Sequence, residues 1–170
     1  MPSKKSRQIT LAKALKLKSR LVGKISAVEM TIRTYNSVED GAEKFDTANA
    51  FSLHQELKGY LIDLKDKINA ANRPIQRLIY ELSELKADLS FLTSVPTRQG
   101  IFSQGYGSDE KVTYVAKVSK QELDERSATL QARIDELQDS LDEHNGRTTI
   151  EVEDSMLTQA TAALPKKWYE

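Results

Sequence analysis

The chain has 170 residues, 29% of them charged and 6% aromatic, and Lys plus Arg equal Asp plus Glu at 25 each. Such a composition is lean for a globular core and usual for long helices with narrow apolar seams, and a balanced charge names no partner. Cysteine is absent, which excludes a disulfide framework, a thiol nucleophile or a cysteine zinc site and fits a reducing, cytoplasmic compartment; no apolar run approaches ~20 residues, so no membrane span is expected.

The opening "MPSKKSRQIT" is basic but has no apolar core behind it, so it does not read as a secretory signal. Basic residues dominate the start. Residues 1–28 hold eight (Lys4, Lys5, Arg7, Lys13, Lys16, Lys18, Arg20, Lys24) and no acidic one. The first helix is predicted over 10–35: Leu21, Ile25, Val28, Ile32 and Tyr35 alternate spacings of four and three, Leu11, Ala14 and Leu15 extend the stripe, and Thr10 is a suitable N-cap. The polar "YNSVEDGAEKFDT", with Gly41, ends it.

The second helix, 48–92, carries the strongest pattern. Leu57, Leu61, Leu64, Ile68, Ala71, Ile75, Leu78, Leu82, Leu85, Leu89 and Leu92 keep heptad phase throughout. At about 1.5 Å per residue it would span roughly 65 Å, which predicts an elongated molecule. Pro74 interrupts it, removing a backbone donor and crowding the carbonyl of Ala70. Because the phase passes through Pro74 unchanged, a kinked continuous helix is preferred to two helices with Pro74 in the first turn of the second.

Residues 93–118 hold three glycines and the β-prone stretch 112–118. "GIFSQ" and "KVTYVAKV" are expected to pair as a hairpin around "GYGSDE". Ser119 and Glu122 form a capping box opening a third helix over 119–145. Its seam is Leu123, Ser127, Leu130, Ile134, Leu137, Leu141 and His144, and Asn145-Gly146 is its stop. That helix has eight acidic residues against three basic ones in 119–145. In 146–170, "RTTIEV" reads as a short strand, followed by a short helix or tail in which Trp168 and Tyr169 are available to dock.

The fold expected is therefore mainly α: a single elongated domain, 1–170, of three long antiparallel coiled-coil helices, the middle one kinked at Pro74, with one small β hairpin between the second and third. Counting along antiparallel helices brings the start of the first, the end of the third and the Pro74 bend to one place. This gathers a polar cluster of Lys13, Lys16, Asn69, Asn72, Arg73, Arg77, His144, Asn145 and Arg147. Such a cluster serves to cap helix ends or, at a helix N-terminus among cations, to hold an anion.

Other chemistry finds little footing. His54 and His144 fall about 14 residues apart along the second helix, roughly 20 Å, too far to share a metal. No inward Glu-x-x-His pattern of a di-iron bundle occurs. "GYGSDE" is not a phosphate loop, and no His/Asp arrangement activates a serine. Neither catalytic residues, metal nor cofactor are therefore expected. Nucleic acid as a partner is disfavoured because no aromatic platform accompanies the basic helix.

The stretches "YNS", "LKDKINAANRPIQRLIYELSELKADLSFL" and "ARIDELQDSLDEHNGRTTI" resemble a family of small bacterial helical-hairpin proteins, some phage-associated and some labelled septicolysin. The resemblance covers residues 9–150. It implies a helical hairpin, a glycine-bearing β insert and a final helix; it brings no activity and no functional residue, and nothing in the chain reads as a pore-forming toxin. Two functions follow as expectations: a non-enzymatic, homo-oligomeric coiled-coil assembly or protein-binding module, since narrow seams are usually completed by another chain, and a binder or sequestering protein for a small anionic ligand such as a nucleotide.

Overall fold

A computed structural model describes residues 5–39, 45–103, 111–165 and 168. Lys4, Gly41, the "GYGSDE" turn and Tyr169 lie outside them. In chain order the elements are β1 (Ser6–Thr10), α1 (Leu11–Tyr35), α2 (Thr47–Asn72), a 3-10 turn (Arg73–Ile75), α3 (Gln76–Ser94), β2 (Gly100–Ser103), β3 (Lys111–Tyr114), α4 (Lys120–Arg147), β4 (Thr149–Glu153) and α5 (Asp154–Thr161). The contacts divide the chain into two compact units, residues 1–74 with 142–170 and residues 75–141.

This corrects the expected architecture. The fold is not three coiled-coil helices with one β insert. Among the described residues there are four helices, one of them the fused stretch from α2 through the 3-10 turn to α3, and two separate two-stranded sheets. The overlooked sheet pairs β1 with β4, antiparallel, Arg7 opposite Val152 and Ile9 opposite Ile150. Its first strand is polar and short, and its partner lies some 140 residues away in sequence, so no local pattern announces it.

In the larger unit the heptad stripe of α1 packs on that of α2, but the stripe is not closed by another long helix. Leu11, Ala14, Leu17, Leu21, Ile25, Val28 and Ile32 are buried together with Leu57, Leu64 and Ile68, and β4 and α5 add Ile150, Val152, Met156 and Ala160. β4 buries alternate residues, as a strand with one covered face must. Trp168, 1% exposed, seals the other end, edge-on to Phe45 at 5.8 Å. Phe45 in turn stacks on Tyr35, and farther from that connection Glu29 meets His54 at 2.9 Å, so α1 and α2 run antiparallel. Thr10 caps α1 by accepting from the Lys13 amide. The Leu11 amide donates to Thr148 O at 2.8 Å, which joins the start of α1 to the chain leaving α4.

The smaller unit contains α3, the β2–β3 hairpin and α4 up to Leu141. In its seam Leu82, Ile134 and Leu137 are buried together and Leu123 is buried near the start of α4, with Leu78, Leu85, Leu89 and Leu141 partly covered. Leu92 and Thr93 line one cleft with Leu123 and Ser127, so α3 and α4 are antiparallel. Arg133 forks onto Glu81 with Nε at 3.1 Å and Nη2 at 2.8 Å. The capping box forms as the sequence predicts: the Glu122 amide donates to Ser119 Oγ at 3.1 Å, and the Ser119 amide to Glu122 Oε2 at 3.3 Å. In the hairpin Phe102 meets Tyr114 edge-on at 5.7 Å. Gly100 opens it at φ 115°, a left-handed conformation that a side chain would strain.

Candidate functional site

Two features of the molecule invite a ligand or a partner: a basic groove in the larger unit and an under-covered apolar seam in the smaller one. The groove is built by three elements. Strand alternation sets Arg7 and Ile9 of β1 on one face. Helical spacing of three and four sets Lys13, Lys16, Leu17 and Arg20 of α1 on one side. α5 closes the groove with Asp154, Leu157, Thr158 and Thr161 around a cavity of about 670 Å³. Four cations therefore surround an aliphatic floor of Ile9, Leu17 and Leu157, and no aromatic ring lines it.

The basic residues of the N-terminal segment fall into two groups. Lys24 is used by the fold: its Nζ donates to Gln159 O and, at 2.9 Å, to Ala162 O, tying α1 to the carbonyls that end α5. Burial pushes its pKa down, with Glu56 acting in the opposite sense. Lys13, Lys16 and Arg20, in contrast, make no side-chain hydrogen bond or ion pair among the described residues. Arg7 is held through Nε on Asp154 Oδ1 at 2.8 Å. This pair is solvent-exposed, so it adds at most about 1 kcal/mol of stability; its consequence is to orient the guanidinium along the groove.

Of the nine residues that the sequence gathers at the bend, Lys13 and Lys16 line this groove and the other seven do not. Arg73 is exposed in the 3-10 turn and Asn69 is exposed near the end of α2. Arg77 lies in the first turn of α3, in the smaller unit. Arg147 pairs with Glu143 one turn back. His144 hydrogen-bonds through Nδ1 with Thr148 Oγ1 at 3.3 Å. Asn72 and Asn145 are half-buried, and each keeps a buried Oδ1 without a hydrogen-bond partner among the described residues. Sequence reasoning passed over Arg7 and Arg20. The signal for Arg20 was present, since it continues the Lys13–Lys16 face; Arg7 and α5 come to it only through the long-range β1–β4 pairing.

A separate polar contact links α1 to α2. His54 Nε2 donates to Glu29 Oε1 at 2.9 Å, with Lys58 Nζ at 3.7 Å from the same oxygen. The hydrogen bond from His54 holds the Glu29 pKa below its ordinary value against an opposing effect of burial, and Lys58 adds to the depression. This is a helix-to-helix tie, with no third ligand. Among the described residues no group of three or more His, Cys, Asp or Glu is placed to hold a metal ion, and no helix is long and apolar enough to cross a membrane.

The second feature is the seam of α3 and α4. Phe91, 64% exposed, stands beside Leu92 and Leu130 in an open cleft flanked by Asp88 and Arg126. Neither charge has an ion-pair partner among the described residues.

Compared with protein-family models, with curated proteins and with solved structures, the chain matches none.

Proposed function

We propose that the protein is a non-enzymatic, homo-oligomeric assembly module, in which α3 and α4 of two copies complete each other's seam. The observation that carries this reading is the exposure of Phe91 beside a seam in which, among the described residues, only Leu82, Leu123, Ile134 and Leu137 are buried. A pair of helices can leave an apolar flank of its seam open to a further chain, and aromatic side chains with Arg beside them are typical of interface centres. The occupant to which the surface points is a second copy. In a two-fold contact the same patch meets itself, so Asp88 of one copy approaches Arg126 of the other across the paired Phe91 rings. A balanced total charge of 25 against 25 leaves no net repulsion between copies. A place among the small bacterial helical-hairpin proteins, cytoplasmic and some of them phage-associated, belongs to the same proposal.

The test is sedimentation velocity across a micromolar concentration series, with charge reversals. Wild-type protein sediments as a dimer or larger species that dissociates on dilution. Asp88→Arg and Arg126→Asp each shift it to monomer, and the double reversal restores association. A wild-type chain that is monomeric throughout, or single reversals without effect, contradicts the proposal.

A second reading has its own observation. The groove of Arg7, Lys13, Lys16 and Arg20 supports a binder of a small anionic ligand, because its cations are gathered around a cavity and three of them are not consumed by carboxylates.

A further inference from the structure

We infer that the groove between β1, α1 and α5 takes a phosphate monoester with an aliphatic body, not a nucleotide; this rests on the second reading above and specifies its ligand. The head of the ligand is argued from charge. Four cations and one carboxylate line the groove, an excess suited to a doubly charged group. Asp154 is already engaged by Arg7 Nε, which leaves the remaining guanidinium donors to fork onto two oxygens of one phosphate. Lys13, Lys16 and Arg20 are spaced three and four apart along α1, so their charges fall within about 11 Å along one face. One compact dianion can be reached by several of these flexible side chains at once.

The body of the ligand is argued from the floor. Ile9, Leu17 and Leu157 are aliphatic, and no lining residue offers an aromatic face on which a base could stack. An alkyl chain laid on that floor gains from each methylene removed from water, whereas a nucleobase would find neither a ring nor a set of fixed amides to read its edges. The cavity, about 670 Å³, falls within the range of about 300–1,000 Å³ usual for small-molecule sites. Lys24, one turn beyond Arg20, strengthens the distinction: where the fold needs a lysine it ties it to backbone carbonyls, and the groove cations are not so tied.

The same head and body occur in a soluble alkyl phosphate and in a phosphatidic acid headgroup, and the experiment separates the two sources. Titration calorimetry on the full chain at low salt uses inorganic phosphate, hexyl phosphate and adenosine triphosphate, alongside flotation with phosphatidylcholine vesicles containing or lacking phosphatidic acid. Hexyl phosphate is expected to bind about tenfold or more tightly than inorganic phosphate, as burial of several methylenes implies. Lys16→Gln and Arg20→Gln should each weaken it by about tenfold. Lys65→Gln, an exposed change on α2 outside the groove, should leave it unchanged and serves as the fold-neutral charge control. Hexyl phosphate binding without flotation assigns a soluble ester; flotation dependent on phosphatidic acid and on Lys16 assigns the lipid; both support the inference. Equal affinity for inorganic and hexyl phosphate, or tighter binding of adenosine triphosphate, overturns the inference while leaving an anion-binding groove. No binding of any anion overturns both.

Discussion

The two units share one heptad pattern and make different use of it. Residues 57–71 and 75–92 continue a single leucine phase, yet in the first stretch Leu57, Leu64 and Ile68 join a core of sixteen buried residues, and in the second only Leu82 is buried, in a core of three. The cause is what covers each seam. In the larger unit β4, α5 and Trp168 lie against the α1–α2 pair as a further layer. In the smaller unit no element among the described residues does the same for α3 and α4. Heptad spacing thus secures a helix with an apolar face, while the depth of burial depends on a third element supplied from far along the sequence.

The largest effect expected from this contrast is on unfolding. Trp168 is the only tryptophan and is buried in the larger core, so its fluorescence follows that unit, whereas helical circular dichroism follows both. Leu64→Ala, at a position 0% exposed, should destabilise the fluorescence transition in urea by about 3 kcal/mol, as emptied core leucine sites do. Leu85→Ala, at a half-covered position, should cost about 1 kcal/mol, read in the circular dichroism transition of dilute protein and absent from the fluorescence transition. Equal losses at both positions would erase the distinction between the units.

A smaller effect concerns pH. The folded-state pKa of Glu29 is depressed by the hydrogen bond from His54, so its ionised form is favoured by folding. That contribution is present above the ordinary carboxylate pKa and is lost as pH falls through the depressed folded value. Glu29→Gln should therefore be less stable than wild type near neutral pH, and the difference should shrink to nothing in acid. Denaturant midpoints measured from neutral pH downward check it; a difference that grows on acidification has the wrong sign for the assignment.

Much of the helical content was legible because its signals are local. Thr10, Ser119 and Glu122 cap where their chemistry requires, and the hairpin strands fall where glycines and β-branched residues predict. Pro74 was legible as a local disturbance: helix continues on both sides, and the backbone tightens into a 3-10 turn over Arg73–Ile75. The architecture was not legible, because β1 is too short and polar to declare itself and gains its meaning from β4 across the length of the chain. The groove was half legible for the same reason. Lys13 and Lys16 were gathered by counting along helices towards the Pro74 bend, whereas the wall that makes them a groove, Arg7 with α5, arrives through that pairing. The other seven polar residues were gathered by the same counting, which reports which ends approach and not which side chains share a cavity.

Hydrogen exchange with mass spectrometry at two protein concentrations, well above and well below the association range, tests the central claim most directly. If the seam of α3 and α4 is completed by a second copy, amides of residues 76–94 and 120–141 are protected in concentrated protein and exchange faster on dilution, while those of α1 and of α2 ahead of the 3-10 turn keep their protection at both concentrations. Protection in α3 and α4 that matches α1 and does not change with concentration would contradict it.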